Sequence, residues 1–190
     1  MSAIRKLARL REALKAVDVD EERGMLTAYG ERFLLIPIKL IHSIEDRLVD
    51  NLGPVTATSF QYEIGKNGGR VYVRLLEKAG YKLGNFGSMQ KAADRFGTMA
   101  GWGKMEVIET DPIKRVVRAR WRNGLSVRGR KGKTPVCHFV RGVMTGSAEE
   151  AWGQKCESLE VSCEGKGDSY CEAIIGDPSE IARLAETSEH

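Results

Sequence analysis

Apolar residues recur at spacings of three and four through Ile4, Leu7, Leu10, Leu14 and Val17, which predicts an amphipathic helix over residues 1–17. Asp18 to Glu22 read as an acidic connector. Gly30-Glu31-Arg32 leads into a strand over 33–37, and a helix follows over 39–52 with the stripe Leu40, Ile41, Ile44, Leu48 and Leu52. Gly53-Pro54 stops that helix. A second helix is expected over 57–79, with Phe60, Ile64, Val71, Val73 and Leu76 toward the core and Gly80 as its cap. Gly65, Gly68 and Gly69 weaken its middle and are expected to bend it. Ser88 is the N-cap of a third helix over 88–100.

Then the period drops to two. Met105 and Val107 alternate with Lys104 and Glu106. Arg118, Arg120 and Arg122 alternate with Val117, Ala119 and Trp121, and Asp111-Pro112 turns the chain between the two runs. This predicts an antiparallel hairpin with one basic, wet face and one buried face. A Gly- and Lys-rich loop over 124–134 leads to a helix over 136–154. Strands over 158–163 and 169–175 flank the turn Gly165-Lys166-Gly167-Asp168, and a short helix ends the chain over 178–186. Helices first and paired strands after predict an α+β fold, a small antiparallel sheet packed against helices. The division expected is an N-terminal amphipathic helix within 1–25 suited to a dimer seam, a domain over 26–178, and a tail over 179–190.

The chain has 190 residues and is 42% hydrophobic, enough for one sizeable core. It contains no run of 18 apolar residues, so no membrane-spanning helix is expected. The first 17 residues lack the uninterrupted apolar stretch of a secretory signal, which places the expectation in the cytoplasm. Net charge is +4 but unevenly spread. Nine Lys or Arg and no acid lie between Lys114 and Lys133, whereas Ser147 to His190 carries eleven acids against three bases. Arg118, Arg120, Arg122, Arg128, Arg130 and Lys131 therefore form a candidate anion-binding stripe, and a nucleic-acid or polyanion adaptor is one reading of the chain. The plainer reading of the same stripe is a solvated strand face that pairs with the acidic C-terminal third.

All four cysteines, Cys137, Cys156, Cys163 and Cys171, lie in the last third of the chain. In a reducing compartment clustered thiols indicate a metal site or buried core cysteine, not disulfides. Zinc takes four tetrahedral ligands from thiolate, imidazole or carboxylate. Cys163 and Cys171 bracket a tight hairpin, and Cys137 falls at a predicted helix N-terminus, where exposed N–H groups favour the thiolate. Spacing alone does not choose among these, Cys156, His138 and Glu160. Glu160 and Cys163 have opposite strand parity, so bringing both to one ion requires a bulge between them.

The segment Cys137-His138-Phe139-Val140-Arg141-Gly142 through Gly146, then Glu160-Val161-Ser162-Cys163, then Gly167-Asp168-Ser169-Tyr170-Cys171, resembles the 4-vinyl reductase domain: Cys, a helix with two glycines, Glu-x-x-Cys, and Gly-Asp-x-x-Cys. The intervals are 23, 3 and 8 positions. The zinc-containing sensor domains of phenol-responsive activators are similar here. The resemblance implies that Cys137, Glu160, Cys163 and Cys171 hold one structural zinc, with Arg141 or backbone amides offsetting the surplus negative charge. It also implies the fold shared with transport-particle subunits and nitric-oxide-sensing haem domains, a homodimer, and a pocket for a small apolar or aromatic molecule. Trp121, Phe139, Met144 and Trp152 are candidate pocket residues. The chain departs from the phenol sensors in having only His42 before Cys137. Because a structural site leaves no ligand position for water, the expected role is a sensor or carrier and not an enzyme. No dinucleotide fingerprint or Gly-x-Ser-x-Gly motif occurs. A part in tetrapyrrole vinyl reduction, which the family name suggests, is the remaining alternative.

Overall fold

The computed structural model describes residues 17–83, 101–111, 113–127 and 131–188, together with Ser88, Gln90, Lys91, Ala93, Gly97 and Gly129. The helix expected over 1–17 lies outside these residues except at Val17, which begins a strand. β1 (Val17–Asp20), β2 (Met25–Ala28) and β3 (Glu31–Phe33) form a small antiparallel meander. The acidic connector is thus the end of one strand and a tight turn, closed by Arg23 N–H donating to Asp20 Oδ1 at 2.9 Å. The strand expected over 33–37 stops at Phe33. Its neighbour β2 offers partners only to Glu31, Arg32 and Phe33, and Leu34 and Leu35 are left 79% and 84% exposed.

Helix α1 (Ile38–Leu52) is followed at once by α2 (Pro54–Lys78), in which Pro54 occupies the first turn. The proline therefore opens a helix as well as ending one, because its missing N–H costs nothing at that position. The apolar stripe of α1 is mostly open to solvent: Leu40, Ile44 and Leu52 are 47%, 50% and 46% exposed. Val55, Phe60, Ile64 and Val71 continue this apolar surface along α2. Of the third expected helix, Ser88, Gln90, Lys91, Ala93 and Gly97 are helical.

The main sheet runs β4 (Lys104–Asp111), β5 (Val116–Arg122), β7 (Cys171–Gly176), β6 (Glu157–Ser162), all antiparallel. The alternation in β5 is realised: Val117, Ala119 and Trp121 are buried. Helix α3 (His138–Trp152) packs on β6 and β7, and α2 packs on α3. Helix α4 (Pro178–Ser188) closes the chain against β6 and β7.

The glycines of α2 do not bend it; they let it touch α3 backbone to backbone. A Cβ at Gly65 would lie 3.1 Å from Gly142 Cα, one at Gly69 would lie 2.7 Å from Ser147 N, and one at Gly146 would lie 2.7 Å from Lys66 Cα. Gly65/Gly69 and Gly142/Gly146 share the same four-residue spacing, so each pair lines one helix face. Around this seam polar groups are paired. Tyr62 Oη shares hydrogen bonds with Thr145 and Ser158, and Lys66 Nζ lies 2.9 Å from Glu149 Oε1. Gly146→Ala is expected to cost about 3 kcal/mol or more, because the obstacle is backbone that cannot move aside. Gly68→Ala, whose Cβ would meet only Val143 Cγ2 at 3.9 Å, is expected to be neutral or to stabilise by up to about 1 kcal/mol. Urea unfolding of the two variants against the wild type measures the difference.

Candidate metal centre and ligand cavity

Three sulfurs meet in the dry core. Cys137 precedes α3 as its N-cap, Cys163 follows β6, and Cys171 begins β7. All three are fully buried. Cys137 Sγ lies 3.0 Å from Cys171 Sγ and 3.4 Å from Cys163 Sγ, and all three sulfurs fall within 4.8 Å of one another. Around tetrahedral zinc, with Zn–S about 2.3 Å, sulfurs stand roughly 3.8 Å apart. The cluster is close to that spacing.

The loop after β6 is shaped to point N–H groups at sulfur. Cys163 N–H donates to Asp168 Oδ2 at 2.8 Å, and Cys163 O accepts from Lys166 N–H at 2.9 Å. Gly167 takes φ +103, a conformation glycine adopts without strain. This turns Glu164 N–H onto Cys171 Sγ at 3.2 Å. The thiols of Cys137 and Cys171, then the amides of Val136 and Gly165, stabilise negative charge on Cys163 and hold its pKa far below that of an ordinary thiol. Cys137 is held correspondingly protonated, first through its bond to Cys163. Without a cation the three sulfurs share protons; with one they can release them.

Glu160 approaches from β6. The ladder between β6 and β7 shifts register between Glu160 and Ser162, the irregularity that the opposite parity of Glu160 and Cys163 requires. Its side chain is 9% exposed. Oε1 is buried without a hydrogen-bond partner among the described residues, and Oε2 lies 3.7 Å from Arg141 Nε. Burial, then the charge on Cys163, pushes this carboxyl up to about 8. The carboxylate is not part of the group of mutually close donor atoms, which consists of the three sulfurs.

The other sulfur and the nearby imidazole stand apart. Cys156 is buried beside Gln154 O, with its thiol pushed up to about 12 by burial. His138 Nε2 meets Pro135 O at 3.0 Å. His42 Nε2 meets Leu125 O at 2.7 Å and so pins α1 to the loop after β5.

An apolar cavity of about 100 Å³ lies between the main sheet and the α2–α3 pair. Val107, Val117 and Ile175 line it from the sheet, and Val73, Met144 and Ala148 from the helices. Of the four residues singled out in the sequence, Met144 reaches its wall. Trp121, Phe139 and Trp152 are not among the lining residues. Trp121 is fully buried against Gly124. Phe139 packs edge-on against Trp102, which packs edge-on against Tyr72, a lining residue. Tyr72 was missed in the sequence because a lone tyrosine in a helix carries no mark of the cavity it faces. Burial pushes its hydroxyl up to about 12, so it remains a proton donor at neutral pH.

On the outer face of the sheet, Arg118 Nε and Arg120 Nη2 grip Glu172, 2.5 Å and 2.6 Å from its two carboxylate oxygens, and Glu172 is 2% exposed. Arg120 also lies 3.8 Å over the Tyr170 ring. Two members of the candidate anion-binding stripe are thus engaged with an acid from the C-terminal third, while Arg122 and Lys131 are exposed. Arg128 and Arg130 lie outside the described residues. No helix among the described residues is long and apolar enough to cross a membrane.

Residues 117–177 match the family model of the 4-vinyl reductase domain. Two uncharacterized proteins of Methanocaldococcus jannaschii are 40% identical over 42 residues and 32% identical over 71 residues. These stretches are 22% and 37% of this chain, and the chain spans only 24% and 42% of the lengths of those curated relatives. The phenol-responsive sensory domain of the transcription activator PoxR, solved with phenol, superposes with TM-score 0.77 at 18% identity, over 97% of this chain and 98% of that one. A vinyl-4-reductase family protein from Methanocaldococcus jannaschii gives 0.50 at 18% identity, over 92% and 95%. Subunit 3 of a trafficking protein particle complex from Naegleria fowleri gives 0.54 at 15% identity, over 73% and 93%. The fold is α+β and is that of these domains.

Glu149 and Glu172 set the acid limit of the fold. Burial alone would raise both carboxyls, but Lys66, Cys156 N–H and Arg70 around Glu149, and Arg120 and Arg118 around Glu172, outweigh it and hold both below the ordinary value. A folded pKa below the unfolded one contributes stability above about pH 4.3 that is lost as pH falls through the lower folded value. Acid titrations followed by circular dichroism should show Glu172→Gln less stable than wild type at pH 7, with the gap narrowing toward pH 3.

Proposed function

We propose, from the premise that residues 117–177 form a 4-vinyl reductase domain, that this protein is a sensor or carrier of a small apolar or aromatic molecule, built around a structural zinc ion held by Cys137, Glu160, Cys163 and Cys171. The cavity between sheet and helices carries the ligand half of this reading: about 100 Å³, bounded almost wholly by aliphatic side chains. A dry apolar cavity of roughly 150 Å³ accepts benzene, so the size suits a single small ring or a short hydrocarbon after slight expansion. The PoxR sensory domain, of the same fold, was solved with phenol.

Three buried sulfurs and the unpaired Oε1 of Glu160 support the zinc half. A buried carboxylate oxygen with no donor is costly, and a cation between it and the sulfurs removes that cost. When bound, zinc supplies cohesion, since four protein ligands leave no position for water. Cys137 brings α3 to the ion, and Cys163 and Cys171 bring the β6–β7 hairpin. Since α3 and β7 also wall the cavity, a rigid metal centre keeps the ligand site open in one shape. Among the described residues no arrangement of nucleophile and base occupies the cavity wall, so the proposed role is binding, not catalysis.

Purified protein should carry one zinc per chain by elemental analysis. Cys163→Ser and Cys171→Ser should lose it and unfold more easily, whereas Cys156→Ser should retain it; zinc retained in Cys163→Ser rejects the ligand set. Ala148→Leu, which fills the cavity, should abolish the heat of binding of phenol and toluene seen with wild type while leaving zinc in place. If wild-type protein takes up neither compound nor any longer alkylbenzene, the ligand assignment fails. We assign homodimerisation to the exposed apolar surface along α1 and α2, an expanse larger than monomers usually leave open. Native mass spectra with a single-chain mass at every concentration reject that pairing.

A further inference from the structure

Arg141 ties the metal centre to the polar groups at the helix seam. It sits one turn beyond Cys137 on α3, with its own N–H donating to Cys137 O at 2.8 Å. Its guanidinium is fixed on two sides. Nη1 donates to Ser158 O at 2.9 Å, and the plane lies 4.5 Å over the ring of Tyr62. Tyr62 is held in turn by Thr145 and Ser158. The remaining edge turns to Glu160, with Nε 3.7 Å from Oε2. Three buried side-chain atoms lack a hydrogen-bond partner among the described residues, and two belong to this pair: Arg141 Nε and Glu160 Oε1.

Two orphans on facing residues are informative, because buried polar atoms are nearly always paired. A small rotation of the carboxylate would give Nε its acceptor through Oε2 and leave Oε1 directed away from the arginine. Resting on the zinc site proposed above, we infer that Arg141 is the positioning residue for Glu160: it holds the carboxylate ionised, with one oxygen anchored and the other presented to the metal. An arginine suits this task because it stays charged when buried and its planar fork fixes direction as well as charge. It also offsets one of the two surplus negative charges that three thiolates and a carboxylate leave around a doubly charged ion. The guanidinium's bonds go to Ser158 and its charge to Glu160, so its effect on metal runs through the carboxylate and not through the sulfurs.

A double-mutant cycle separates this from a merely structural role. Zinc affinity would be measured by chelator competition for wild type, Arg141→Met, Glu160→Gln and the double variant, with cobalt(II) spectra as a second readout. Arg141→Met should weaken zinc binding roughly 10–100-fold, the range for groups that orient metal ligands, and should alter the cobalt d–d bands while the sulfur-to-cobalt band stays. In the Glu160→Gln background the same change should cost little more. An undiminished loss in that background, or wild-type affinity in Arg141→Met, overturns the inference. Wild-type affinity in Glu160→Gln removes Glu160 from the ligand set and overturns the zinc reading itself. Should Arg141→Met not fold with zinc present, Arg141→Lys replaces it. Lysine keeps the charge without the fork and should bind zinc about tenfold more weakly; unchanged affinity there overturns the inference equally.

Discussion

The contact between α2 and α3 is made by main chain against main chain. Gly65 and Gly69 on one helix meet Gly142 and Gly146 on the other, and no side chain stands between them. This closeness has consequences in both directions along α3. Toward its N-terminus it holds Cys137 at the hairpin that carries Cys163 and Cys171. Toward its C-terminus it leaves Val143, Met144, Ala148 and Ala151 facing the sheet across a gap they do not fill. A looser helix pair would blur both the sulfur cluster and the cavity.

Electrostatics at the seam follow from the same closeness. Once the helices touch, Lys66 and Glu149 cannot reach water and must satisfy each other; Glu149 also takes Arg70 and the Cys156 amide. The outer sheet face repeats the arrangement with different residues, where Glu172 is enclosed and two arginines neutralise it. In each case a buried acid is acceptable only because cations and N–H donors surround it. The sulfur cluster is the exception. Its negative charge is met by amides from Val136, Glu164 and Gly165 and by shared thiol protons, which is the chemistry of a site prepared for a cation.

Secondary structure and candidate chemistry were largely legible because both are local. The alternation in β5, the helix between Cys137 and Gly153, the hairpin around Gly165 to Asp168 and the bulge demanded by Glu160 and Cys163 all follow from periods of two or 3.6 within a few residues. So does the grouping of the cysteines in one third of the chain. Errors arose where a local pattern had no partner to confirm it. Leu34 and Leu35 look like strand but have no neighbour to pair with, and β1 is too short for its alternation to stand out.

Tertiary structure decided everything that depends on which faces meet. From sequence alone the glycines of α2 read as weakness; in the fold they are the point of closest approach. The stripe of α1 reads as core, yet most of it faces solvent. Arg118 and Arg120 read as free charge, yet Glu172 takes both. Phe139 and Trp152 read as pocket, whereas Tyr72 and small aliphatic residues form its wall. The residue pattern determines which side chains share a face, because that depends only on backbone periodicity. What each face packs against depends on pairings between segments far apart in the chain, and no local period records them.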